Sequence, residues 1–178
     1  MGSKAKMKLV TDLLMTVLLL LLMAFDLVGR AAHEWIGMGL FALFIPHHIL
    51  NGGWSRAMFR GKYTPLRVIQ TALAGAVFLC MIGMMVSAVI ISDEVFAFLN
   101  IRGRLRVGRT LHMLSAYWGF VLMSLHLGIH WNGILRRLRK LRKKPPRGRS
   151  VVPRVSAAAV ALYGVLAFVR RELPLYMT

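Results

Sequence analysis

Six histidines in an otherwise apolar chain are the residues best placed to do chemistry. His112, His126 and His130 fall in RTLHMLSAYWGFVLMSLHLGIHW, from Arg109 to Trp131. That stretch has the length, about 20 residues at 1.5 Å each, of a helix that crosses a bilayer. His33, His47 and His48 fall in a second such stretch, AAHEWIGMGLFALFIPHHILN. An imidazole at membrane depth is costly unless a partner satisfies it, which makes each of them a functional candidate. His33 to His47 and His112 to His126 are both steps of 14 residues. At about 100° per residue, such a step returns to within roughly 40° of the same helix face, some 21 Å further along the axis. Two helices of this kind, side by side, can hold two iron porphyrins, each iron between two imidazoles, one toward each face of the membrane.

His33 and His112 form the outer pair on this reading. The inner pair is open. His47 with His126 preserves the equal spacing and is preferred, whereas His48 with His130 leaves the two spans mismatched by roughly 4.5 Å along the axes. The remaining histidines have three roles open to them: contact with a haem propionate, acceptance of a proton from a quinone, or capping of a helix end. His126 and His130 also stand at the i, i+4 spacing of a zinc site, but no carboxylate follows them in the zinc-protease pattern. Gly119 lies midway between His112 and His126, and Gly37 one turn past His33. Either glycine can let a porphyrin approach the backbone or simply allow helices to pack. Arg102, Arg104, Arg106 and Arg109 lie beside the outer pair, where they can meet propionates or stay solvated.

The elements that must position these residues follow from composition. The chain has 178 residues, 57% of them hydrophobic, with a mean hydropathy of +0.62. That is too apolar for a soluble domain of this size and makes the bilayer its solvent. The formal charge of +18 resides in 24 basic residues lying almost entirely between the apolar segments. Charge so placed is topological information and argues against a nucleic-acid partner. Cys80, the single cysteine, can form no intrachain disulfide and leaves nothing for iron–sulfur ligation.

Apolar periodicity predicts one all-α membrane domain over residues 1–178, an integral bundle of five helices at about 8–29, 32–51, 65–91, 109–132 and 155–169. The first reads as an uncleaved span rather than a signal peptide, with Asp26 and Arg30 paired at its end. Pro46 is expected to loosen the second beside its histidine pair, and Asn51-Gly52-Gly53 to end it. Residues 136–154 form a basic tract expected to be solvated against anionic headgroups. With the N-terminus inside, inner segments carry 17 Lys and Arg and outer segments 7. This bias predicts a multi-pass protein of the cytoplasmic membrane with a cytoplasmic N-terminus. The two histidine-bearing helices then run in the same direction.

The pieces AAHEWIGMGLFALFIPHHILN, FRGKYTPLRVIQT and LHMLSAYWGFVLMSLHLGIHW together resemble the flavinylation-associated cytochrome domain family of bacteria and archaea. In layout the chain is more distantly similar to ferric-reductase-like membrane domains. The resemblance spans nearly the whole chain, and it implies transmembrane electron transfer beside an extracytosolic protein carrying covalent FMN. It places haem ligands at His33, His47 or His48, His112 and His126, with His130 a further motif histidine. In one respect the chain departs from that family, whose members commonly continue past the segment here reading FVRRELPLYM into a further apolar helix.

Taken together, the residues and the resemblance predict a di-haem b-type cytochrome. It would carry electrons between a cytoplasmic or quinone donor and an extracytosolic acceptor, as a carrier subunit rather than an enzyme with its own substrate. Two other readings remain. A quinol or ferric reductase would change its spectrum with a quinone analogue. A haem-free helical scaffold or proton relay would lack a Soret band.

Overall fold

The computed structural model describes residues 2–58, 60, 63–99, 101, 105–141, 162–164, 166, 169 and 170. They are all-helical, with no strand among the described residues. The helices are α1 (Ser3–Met23), the short α2 (Phe25–Val28), α3 (Arg30–Met58), α4 (Pro65–Ile91) and α5 (Leu105–Leu141). Most of the segment expected at 155–169 lies outside the described residues, as do residues 142–154 of the basic tract and Arg102 and Arg104.

Local chemistry accounts for the boundaries. Gly29, at φ 73° and ψ 172°, adopts a backbone conformation essentially reserved for glycine, and the chain reverses there from α2 into α3. Arg30 does not pair with Asp26, as the i, i+4 spacing suggests. It reaches across to Asp93 and, at 4.0 Å, to Glu34. α3 runs unbroken through Pro46 and past Gly52-Gly53, where an end was expected. Its extra turns are held from outside. The Arg67 guanidinium donates to the carbonyls of Ala57 and Arg60, the Tyr63 hydroxyl donates to Met58, and Arg67 lies 4.7 Å over the Tyr63 ring. Terminal carbonyls that would otherwise be orphaned are thus satisfied. α4 opens on Thr64, whose hydroxyl accepts from the Arg67 amide, with Pro65 in the first turn. Both are favoured at a helix start. α5 begins before Arg109 and continues into the basic tract to Leu141.

The helices pair as α1 with α3 and α4 with α5, while the two pairs meet sparsely. Glycines permit the close approach within each pair. Gly37 and Gly39 face Leu22 and Leu18 of α1, while Gly83, Gly108 and Gly119 bring α4 and α5 together. The described apolar core is small, consisting of Leu9, Leu40, Val77 and Met81, and large apolar side chains such as Val17, Leu20, Ile69, Leu79 and Leu125 lie open. Apolar surface on that scale requires a non-aqueous neighbour. Among the described helices, α4 is the one long and apolar enough by itself to cross a membrane. Lys4, Lys6, Lys8 and Asp12 count against α1, and the histidines lower α3 and α5.

Candidate functional site

The seam between the two helix pairs is where the histidines gather. His33, near the start of α3, and His112, in the second turn of α5, lie with ring centres 6.2 Å apart and planes 68° apart. Phe25 of α2 closes one side, its ring 5.1 Å from that of His33. The Ser87 hydroxyl of α4 donates to the Met84 carbonyl at 2.9 Å and lies 3.1 Å from Nδ1 of His112. A hydroxyl has a single proton, and here the Met84 carbonyl takes it. With the Ser87 proton on Met84, Ser87 Oγ can accept from an Nδ1–H of His112, the tautomer that would leave Nε2 to bind a metal. Across the seam, Nδ1 of His33 is buried with no hydrogen-bond partner. The ring has a backbone hydrogen bond to Leu22, and the unpaired nitrogen keeps a lone pair available to a bound group.

About 14 residues further along both helices the pattern repeats. His47 holds its Nδ1 3.0 Å from the Asp12 carboxylate of α1. It donates there and keeps Nε2 free, the arrangement by which a carboxylate fixes the tautomer of a metal-binding histidine. His126 of α5 stands within electrostatic reach of both His47 and Asp12. The adjacent histidines are disposed differently. His48 is exposed and stacks at 22° on Phe78 of α4, ring centres 5.5 Å apart, and it also meets Phe44 at 4.2 Å. His130 is exposed, its ring centre 4.8 Å from that of His126. The equal steps along α3 and α5 thus bring His33 beside His112, while His126 lies within electrostatic reach of His47.

The other residues singled out from sequence fall around this seam. Gly37 and Gly119, weighed as neighbours of a porphyrin, face helices instead: a methyl at Gly37 would meet Leu22 at 3.8 Å, and one at Gly119 would meet Cys80 at 3.4 Å. Arg106 and Arg109 are exposed in the first turns of α5, Arg109 one turn before His112. Asp12, Ser87 and Glu34 were not singled out as site residues. Asp12 carried a signal, as the one acid within α1, whereas a serine such as Ser87 carried none. The Glu34 carboxylate accepts from the Ser92 hydroxyl and from the amides of Asp93, Glu94 and Val95. It thereby ties the α4–α5 connection to the helix that carries His33.

The donor set suits a haem iron. The 6.2 Å between the His33 and His112 ring centres leaves room for one metal atom between the rings, given metal–imidazole bonds of about 2.0–2.1 Å. Among the described residues no three His, Cys, Asp or Glu side chains cluster as a metal site. A porphyrin iron takes only two ligands from the protein and does not require such a cluster. Set beside protein-family models, curated proteins and solved structures, the chain matches none, so what it does must be inferred from its own residues.

Proposed function

We propose that this chain is a five-helix membrane cytochrome that binds two b haems and carries electrons across the cytoplasmic membrane. The observation that supports it is the His33–His112 ring contact, with His126 within electrostatic reach of His47 at the same 14-residue step along both helices. Haem held there supplies one-electron transfer, its iron alternating between ferric and ferrous. His33 and His112 hold the outer group and His47 and His126 the inner one. Two histidines at each level would hold the group without offering it a place for oxygen or substrate. The apolar side chains of α3 and α5 exclude water from the seam and so favour electron movement over side reactions. Arg106 and Arg109, exposed beside His112, offer cations to the outer propionates. His48 and His130 border the inner level without ligating.

The open apolar flanks of α1, α3, α4 and α5 face lipid, and the excess of Lys and Arg on one set of connections places the N-terminus in the cytoplasm. On the outer face the acceptor is a redox protein, an FMN-bearing one on the family resemblance; on the inner face the donor is a reduced protein or a quinol. The test is a reduced-minus-oxidised spectrum with haem quantitation on detergent-purified protein, alongside His112→Ala and His126→Ala. The wild type should carry two haems per chain, and each substitution should remove about half. A colourless wild type, or variants that retain all their haem, would overturn the proposal.

A further inference from the structure

The two imidazole pairs are anchored by different chemistry. At the inner level the Asp12 carboxylate accepts from His47 Nδ1 at 3.0 Å. At the outer level His112 has only neutral partners, the Ser87 hydroxyl 3.1 Å from Nδ1 and the Met84 carbonyl. A carboxylate that accepts a proton partway from imidazole gives the ring imidazolate character and makes it a stronger donor to metal, and such bonding is one of the levers on haem potential. A stronger donor favours ferric over ferrous iron. A serine hydroxyl exerts much less of this pull.

The outer level has a carboxylate nearby as well, Glu34, next in sequence to His33. Its oxygens are occupied by the Ser92 hydroxyl and three backbone amides, with Arg30 4.0 Å away. Its hydrogen bonds go to the loop, and its charge reaches His33 only through space, with no hydrogen bond to the ring. The asymmetry between the two levels therefore stands on Asp12.

Resting on the two-haem reading above, we infer that Asp12 is a positioning residue that makes the His47 level the lower-potential site, so that a single electron added to the protein comes to rest at the His33–His112 level. Asp12 acts through His47 and touches no reacting atom. With the inner level cytoplasmic, the resting distribution of charge already favours outward transfer, whatever reductant and oxidant serve the two ends.

A potentiometric titration of the purified two-haem protein, followed by optical and EPR spectra, tests this with three variants. Asp12→Asn keeps an oxygen for the His47 Nδ1–H and removes the charge. It should leave both haems bound, raise the lower midpoint toward the higher one, and change the internal electron distribution by at least about tenfold, about 59 mV for one electron. The EPR signature of one ferric haem should move with it. Asp12→Ala also removes the orientation and should weaken binding of the inner haem by about 10- to 100-fold. Ser87→Ala should leave the lower midpoint where it is. If Asp12→Asn shifts neither midpoint, or shifts the higher one, the inference is overturned while the two-haem reading stands. A wild-type preparation without two haems overturns both.

Discussion

A methyl group at Gly108 would test how tightly the α4–α5 contact holds His112. It would lie 2.7 Å from Cγ2 of Ile91 and 2.8 Å from Cγ2 of Ile90. Non-bonded carbons settle at about 3.5–4.0 Å, so Gly108→Ala requires the helices to part by roughly 1 Å. The isoleucines cannot easily turn aside, because β-branched side chains in a helix keep essentially one χ1. Overpacking of this order costs about 1–3 kcal/mol. His112 lies one turn along α5 on the same face, 3.1 Å from Ser87. A shift of this size lengthens that hydrogen bond to roughly 4 Å, where it no longer exists. The expected result is a lower unfolding temperature in detergent together with selective loss of the haem assigned to His33 and His112. Gly128→Ala is the control, since nothing lies within 4 Å of a methyl placed there. If Gly108→Ala unfolds with the control and keeps its full haem content, the helices are not packed as described.

Two further substitutions separate neighbouring roles. His47→Ala should remove the inner haem, whereas His48→Ala, which takes away a ring stacked on Phe78, should retain both; haem quantitation in which the two variants behave in the reverse order would exchange their roles. Glu34→Gln puts an amide NH2 among the donors of Ser92, Asp93, Glu94 and Val95, where hydrogen bonds to a charged acceptor contribute about 1.5–3 kcal/mol each and a partly solvated loop keeps the lower end of that range. Hydrogen exchange of the Asp93–Val95 amides should quicken, and unchanged protection would show that the carboxylate does not hold the connection.

Much of the site was legible in the sequence because its signals are local. A helix turns by a known angle per residue, so two steps of 14 were enough to put His33 and His47 on one face and His112 and His126 on another. The apolar runs likewise announced helices, among them the one expected at 65–91 that is α4. Local signals misplaced the end of α3. Gly52-Gly53 reads as a terminus, but carbonyls beyond it are capped by Arg67 and Tyr63, which lie across a turn and carry no spacing rule.

Helix periodicity by itself determined that this chain carries two histidine-bearing helices with imidazoles at two levels. Which side chain supports each ring was decided only by tertiary structure. Asp12 precedes His47 by 35 residues and Ser87 precedes His112 by 25, and nothing in either local pattern links them. Their meeting depends on how α1 packs on α3 and α4 on α5, through glycines whose opposing atoms come from another helix. Contacts between helices have no period along the chain, and it is those contacts that distinguish His47 from His48 and give a carboxylate to one level and a hydroxyl to the other.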